Sequence, residues 1–152
     1  MFISNIVTLY NSVDNRIYIN LKLNRSNFFI MELKNRKAEI TEQFLLELNK
    51  HLVKLKSGEI DTAYEINEFA NLLFINPNHL SDTISAVLGK SPCAVYEEKL
   101  LDIAKDFIRY SDMPINEIAQ RLDYDPSNFT KFFKRHTGNT PVQYRKAFRE
   151  KI

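Results

Sequence analysis

The feature that most constrains this chain is an internal repeat. With a shift of 49 positions and no gap, residues 65–95 align with residues 114–144. Eight of the 31 aligned pairs are identical, where about two are expected from average composition. The identical residues include Ala, Pro and Gly at fixed spacings, which are typical of helix crossings and helix ends rather than of a solvent-facing surface. The chain is therefore predicted to contain two copies of one small helical module.

Each copy has the pattern of two short helices joined by a tight turn. In the second copy, apolar residues recur at helical spacing on both sides of Asp125-Pro126, a typical helix start. They are Ile115, Ile118, Ala119, Leu122, Phe129, Phe132 and Phe133. The arrangement predicts a helix-turn-helix. A solvated helix in an ordinary helical bundle would explain one copy, but the repetition favours paired modules.

The two copies differ in what their second helices show to a partner. The outward face in the second copy carries Ser127, Asn128, Thr130, Lys131, Lys134 and Arg135. These are groups that read base edges and hold phosphates. The positions that correspond to Lys131, Lys134 and Arg135 in the first copy are occupied by Asp82, Ser85 and Ala86.

Charge is distributed unevenly along the chain. Residues 1–40 carry a net charge of +3, residues 41–125 of −7 and residues 126–152 of +6, giving +2 in total. A cationic end on a recognition helix favours a polyanionic partner at that end.

The motifs of the second copy resemble a known family. They are E-I-A-x-x-L, S-N-F-x-x-x-F-K-R and G-x-T-P-x-x-Y-R, and they are similar to those of the DNA-binding domain of AraC/XylS-type bacterial transcription regulators. The resemblance covers residues 41–148. It implies an all-α fold with two helix-turn-helix subdomains joined by a connecting helix, and double-stranded DNA, RNA polymerase or another regulator as partners. No cofactor is implied. Asp123 stands in the turn where the family usually has Gly.

The resemblance and the residue chemistry together assign roles on the second copy. Ser127, Asn128, Thr130 and Lys131 are predicted to read bases, and Lys134 and Arg135 to hold phosphate. Thr140 is predicted to cap a last helix whose first backbone N–H groups suit an anion. Arg145 is assigned either to a phosphate or to bracing the module internally.

On the first copy, Asn78, His79 and Ser81 are predicted to face DNA. For His79 a base contact, a phosphate contact and a merely solvated position are all open. Asp82 would be repelled by phosphate unless it accepts from a cytosine amino group.

The predicted organisation is an N-terminal segment, residues 1–40, followed by the DNA-binding domain, residues 41–152. The domain is divided into a first helix-turn-helix at 65–90, a connecting helix at 92–110, a second helix-turn-helix at 114–138 and a final helix at 141–150. A preceding amphipathic helix is predicted from Thr41 to Lys56.

The N-terminal segment allows two interpretations. Residues 11–15 suggest a turn, and the alternation from Ile17 to Leu23 has the period of a strand. The apolar stretch 28–33 fits a helix, as in the dimerising pieces that precede this domain in the family. In either case the segment is too short to enclose an ordinary ligand pocket, so its apolar residues suggest a surface for homodimerisation or for docking.

Other function classes find little support. Cys93 is predicted to be packed in the core rather than to be an activated thiol. His51, His79 and His136 have no metal-binding spacing, and no catalytic motif occurs, so an enzyme is not expected. No apolar run reaches membrane length, and a cytoplasmic protein is expected. The competing hypothesis is a regulator-derived protein-interaction module that has lost specific DNA binding.

Overall fold

The computed structural model describes residues 15–150 of the chain, with side chains from Ile30 onward. The regular secondary structure of this part is all α-helical, which confirms the predicted fold class. Its helices are α1 (Asn15–Ser57), α2 (Ile66–Leu72), α3 (Pro77–Leu88), α4 (Pro92–Tyr110), α5 (Ile115–Arg121), α6 (Pro126–Thr137) and α7 (Pro141–Arg149).

The strand interpretation of Ile17–Leu23 is wrong, because these residues lie in α1. The helix expected from Thr41 begins at Asn15 instead. Apolar residues at every second position also stand four apart, so the same run places pairs of them on one helical face. No Gly or Pro occurs between Asn15 and Ser57 to stop the helix. The turn predicted at residues 11–15 lies outside the described residues except for Asn15.

Contacts between Cα atoms divide the chain into two units, Met1–Ala38 and Glu39–Ile152. In the first unit, Ile30, Met31 and Leu33 are exposed. The second unit holds the apolar core, which the predicted faces of the repeat supply together with one side of α1 and of α4. Its fully buried large side chains include Phe44, Leu48, Leu55, Leu80, Ile84, Leu100, Ile108, Ile118, Leu122, Phe129 and Phe133.

The two copies of the repeat fold alike. We call α2–α3 the first module and α5–α6 the second module. Their helices begin and end at positions 49 apart, and Ala70 and Ala119 are both fully buried. The helices that follow the modules also correspond. α4 starts at Pro92 after its cap Ser91, and α7 starts at Pro141 after its cap Thr140.

The same caps end the elements of both modules. Gly89 and Gly138 follow α3 and α6 with φ of 68° and 78°, the left-handed region that Gly adopts without steric cost. Within the turns, Phe74 and Asp123 also have positive φ, 54° and 58°. A side chain at such a φ is strained, so the missing turn glycine noted in the sequence has a real conformational cost.

One core prediction is wrong. Cys93 is exposed, because it lies in the first turn of α4 where Pro92 and Val95 face the interior instead. The sequence pattern alone did not fix which side of this first turn is buried.

Candidate nucleic-acid interface

The outward face of α6 is the most cationic recognition surface of the two modules. Ser127, Asn128, Lys131 and Lys134 are all exposed. Within the described part of the chain, neither lysine has an ion-pair partner. Both ammonium groups are thus available to an anionic ligand.

The start of α6 is fixed by its own cap. The Asp125 carboxylate accepts hydrogen bonds from the backbone N–H groups of Ser127 and Asn128, at 2.9 and 3.3 Å. The Thr130 hydroxyl donates to the carbonyl oxygen of Pro126 at 3.0 Å. Since a hydroxyl has one hydrogen, Thr130 in this conformation can only accept from a base, for example from the amino group of cytosine or adenine.

Arg135 is held by a residue that the sequence did not single out. Its guanidinium donates to the Glu97 carboxylate of α4 at 3.0 Å, and His136 lies 3.3 Å from the same oxygen. The Arg135 side chain is still 63% exposed. No local pattern could have revealed Glu97, because its partners lie 38 and 39 positions away.

Arg145 has the contacts expected for bracing. Its guanidinium donates to the carbonyl oxygens of Ile108 at 3.2 Å and Met113 at 2.7 Å, joining α7 to the end of α4 and the loop that follows. Burial, followed by the nearby Arg149, lowers the pKa of Arg145, and Asp112 opposes this. The bracing interpretation is confirmed by these bonds, and a phosphate contact of Arg145 stays a prediction.

The neighbouring Tyr144 is part of the same brace. Its hydroxyl accepts from Arg109 of α4, and the Arg109 guanidinium also lies over the Tyr144 ring. The ring packs edge-on against Phe133 of α6, with centroids 5.3 Å apart. The second module is therefore tied through α7 to the connecting helix α4.

The start of α7 offers fewer donors than the sequence suggested. Thr140 and Gln143 form a capping box in which each side chain accepts from the other's backbone N–H, at 3.3 and 2.9 Å. Pro141 has no N–H. In this described turn, the backbone N–H of Val142 is left for a phosphate.

The corresponding face of α3 has the opposite character. Asn78, His79 and Asp82 are exposed, and Ser81 is half-buried. The sequence Pro77–Leu88 contains no Lys or Arg. The side chain of Asn76 caps the helix by accepting from the N–H of Asn78 at 2.9 Å. This face can form neutral hydrogen bonds but supplies no cation.

Comparison with known proteins decides the family. A family model described as a helix-turn-helix domain matches residues 69–147, that is 79 of the 152 residues. The chain belongs to the AraC-type helix-turn-helix family. The resemblance predicted from the motifs is thereby confirmed.

The chain is also similar to individual AraC-type regulators and domains. It is 29% identical over 103 residues to YtdP, an uncharacterized helix-turn-helix-type transcriptional regulator of Bacillus subtilis, a match that covers 67% of this chain and 13% of YtdP. The C-terminal domain of AraT, a response regulator from Geobacillus stearothermophilus, has a TM-score of 0.62 and 27% identity, over 71% of this chain and 84% of that one.

A third similar protein was solved with its ligand. The DNA-binding domain of AdpA, a global transcriptional factor in complex with a target DNA, has a TM-score of 0.58 at 19% identity, over 68% of this chain and 94% of that chain. At that identity the likeness shows a common fold. The chain spans less than half the length of the curated relatives that it matches.

The comparisons also bear on other function classes. The relatives and the neighbours in fold are transcription regulators and DNA-binding domains rather than enzymes. Among the described residues, no helix is both long and apolar enough to span a membrane. No group of three His, Cys, Asp or Glu side chains suited to a metal occurs between residues 30 and 150.

Proposed function

We propose that this chain is the DNA-binding part of a cytoplasmic transcription regulator, with its two modules in successive major grooves and the second module dominant. The charge difference between the recognition helices carries this proposal. Lys131, Lys134 and Arg135 project from α6, whereas α3 has no Lys or Arg. Because each neutralised phosphate adds affinity, most of the binding free energy should come from α6.

The length of the connecting helix supports binding in two grooves. At ~1.5 Å per residue, the 19 residues of α4 span roughly 28 Å. Successive major grooves on one face of DNA are about 34 Å apart. A helix of this length is suitable for spacing two recognition helices by one turn of DNA.

The contacts around α6 suggest a role for each side chain. We assign base reading to Ser127, Asn128 and Lys131, with Thr130 as an acceptor. Lys134 and Arg135 are assigned to phosphate. On the other side of α6, the Val142 N–H at the start of α7, behind its Thr140 cap, would hold a further phosphate. Arg145 would position this region through its carbonyl contacts, whether or not it also touches the backbone of DNA.

The first module would contribute discrimination more than affinity. Asn78, His79 and Ser81 can exchange neutral hydrogen bonds with base edges or sugar-phosphate groups. Asp82 would penalise most sequences and favour one that presents a cytosine amino group at that position.

The salt dependence of binding to duplex DNA tests the proposal. With Lys134, Arg135 and the exposed Lys146 of α7 near phosphates, the slope of log affinity against log salt should be about −3. Lys134→Ala should reduce the magnitude of the slope by about one. Lys50→Ala, which alters an exposed lysine of α1, is the matched control and should leave the slope unchanged. A slope near zero for the parent protein would exclude DNA as the ligand and favour the protein-interaction alternative.

We also propose that the N-terminal unit mediates self-association. Ile30, Met31 and Leu33 expose apolar surface on α1, and such surface favours an interface. Deletion of residues 1–38 should lower the mass measured by sedimentation and leave the helical circular dichroism of the remainder intact. A parent chain that is already monomeric at high micromolar concentration would contradict the homodimer. Contact with RNA polymerase or another regulator stays a prediction from the family.

A further inference from the structure

An aromatic cavity opens between the first module and the turn of the second. Its volume is about 350 Å³, at the lower end of the range of small-molecule pockets. Its walls come from α1, α2, α4, the loop before α2 and the turn before α6. Half of the lining residues are aromatic, namely Phe44, Tyr64, Phe69, Tyr96 and Tyr124.

The aromatic walls are held in place by contacts outside the cavity. The Tyr64 ring stacks on the buried His51 ring with centroids 4.1 Å apart, and its backbone N–H donates to His51 Nε2 at 3.2 Å. Tyr124 stacks on Phe132 of α6 at 5.1 Å. Because the walls are fixed without a ligand, binding would require little ordering of these side chains.

The charged groups on the lining are carboxylates alone. Glu65 and Glu97 contribute to the walls, and no Lys, Arg or His lines the cavity. From outside the cavity, Arg135 and His136 contact the Oε2 atom of Glu97. Burial, with smaller effects of Tyr124 and Asp123, raises the pKa of Tyr96. Burial, followed by the Glu97 carboxylate, also raises the pKa of Tyr124, and Arg135 opposes this. Both tyrosines therefore stay neutral. Because Phe44 and Phe69 are almost fully buried, the cavity offers mainly tyrosine rings and carboxylate oxygens to a ligand.

We propose that this cavity binds a small organic cation, an amine or quaternary ammonium group carried on a flat apolar body. Aromatic ring faces attract such cations and the apolar body alike, and aromatic cages are a recurrent way to recognise quaternary ammonium groups. The Glu65 carboxylate, and the Glu97 oxygen that Arg135 and His136 do not contact, favour positive charge over an anion of the same shape. The bond between Glu97 and Arg135 connects this site to the outward face of α6.

The single cysteine of the chain provides a direct reporter. Cys93 is exposed and lines the cavity. Alkylation by iodoacetamide, followed by mass spectrometry at constant ionic strength, should slow several-fold as benzyltrimethylammonium fills the site. Sodium benzoate should leave the rate unchanged, and benzyl alcohol should protect only weakly. Absence of protection by the cation, or equal protection by benzyl alcohol, would overturn the proposal.

Variants separate binding in the cavity from general effects on the thiol. Tyr96→Leu removes one aromatic wall and should weaken the protective affinity of benzyltrimethylammonium by about five-fold or more. Tyr110→Leu alters a tyrosine of the same helix that is 73% exposed and does not line the cavity, so protection should persist.

Glu97→Gln preserves the shape of the wall, removes its charge and ends its ion pair with Arg135. It should weaken the cation roughly two- to five-fold and leave benzyl alcohol unaffected. Unchanged cation affinity in both Tyr96→Leu and Glu97→Gln, with circular dichroism matching that of the parent, would refute the site.

Discussion

The first and second modules share one backbone fold, but different side chains hold the chain segment that leads into each of them. Two residues before the first helix of each module stands Tyr64 in the first module and Met113 in the second. The N–H of Tyr64 is bound by the neutral imidazole of His51, whereas the carbonyl oxygen of Met113 is bound by the Arg145 guanidinium. Equivalent positions of the repeated fold are thus held by an imidazole in one module and by a guanidinium in the other. These groups differ in protonation behaviour, and the backbone fold is the same with either.

The modules also differ in core chemistry, although their core positions are shared. Leu80 and Ile84 of α3 occupy the places that Phe129 and Phe133 hold in α6, and all four are fully buried. The second module therefore concentrates aromatic surface beneath its cationic face.

Core truncation should give the largest difference between the modules. Phe133→Ala should lower the free energy of unfolding by about 3–5 kcal/mol, since it removes a whole ring and leaves a cavity. Its partner Ile84→Ala should cost about 2–4 kcal/mol. Urea denaturation followed by circular dichroism measures both. If Ile84→Ala proves clearly more destabilising than Phe133→Ala, the stability of the domain depends on the first module instead.

Recognition-face substitutions should give the next largest difference. Lys131→Ala should weaken binding to a selected DNA site by about 1–3 kcal/mol and relax preference at one base pair. Asp82→Asn, at the equivalent position, should instead tighten binding to scrambled DNA because a repelled carboxylate is removed. Fluorescence anisotropy on one selected and one scrambled duplex compares them. Parent-like affinity of Lys131→Ala together with loss of binding in Asp82→Asn would reverse the proposed dominance.

Acidification should lower the stability of the fold through His51, the residue that holds the chain before the first module. His51 is 4% exposed, and burial lowers its pKa. Below the ordinary His pKa of about 6.5, His51 therefore binds a proton more readily in the unfolded chain than in the folded chain. The free energy of unfolding then falls as the pH drops through this value. The loss from this group is at most about 1.4 kcal/mol per pH unit.

A substitution at His51 isolates this effect. His51→Gln keeps an acceptor near Tyr64 but cannot titrate, so it should flatten the dependence of the urea midpoint on pH below about 6.5. His79→Gln changes an exposed histidine and serves as the control. An unaltered pH dependence in His51→Gln would show that the imidazole is not the sensitive group.

Turn substitutions should give the smallest difference. Phe74 is 95% exposed with positive φ, so Phe74→Gly should stabilise the fold by about 0.5–1 kcal/mol through relief of strain. Asp123 has the same φ, but its carboxylate accepts from the Ala63 N–H at 2.8 Å. Asp123→Gly should therefore be near neutral, because the lost hydrogen bond offsets the relief. Thermal unfolding would contradict this account if both variants stabilised equally.

Sequence rules predicted the parts of this fold that depend on near neighbours. Ser91-Pro92, Thr140-Pro141, Gly89 and Gly138 mark helix ends because cap chemistry acts within a few residues. The alternation from Ile17 to Leu23 misled because it satisfies both strand and helix periods over so short a run.

The candidate interface was predicted less completely. The lysines of α6 follow from helical spacing, since the buried phenylalanines fix which face is outward. The bond between Ala63 and Asp123 joins positions 60 apart, and the partners of Glu97 are also distant. Periodicity along one sequence carries no information about contacts between such distant positions, so they could be found only in the tertiary structure.

The pairing of Glu97 with Arg135 and His136 has a consequence for how the protein would search DNA. The Arg135 guanidinium is already paired with Glu97, so it gains little by exchanging this carboxylate for a DNA phosphate. The displaced Glu97 carboxylate then lies near the phosphate backbone of the DNA. Random DNA would therefore be released sooner, whereas a duplex correctly placed against α6 would keep Arg135. We expect Glu97 to shorten the residence time on wrong sequences, so that mobility between sites depends on a residue that touches no nucleotide.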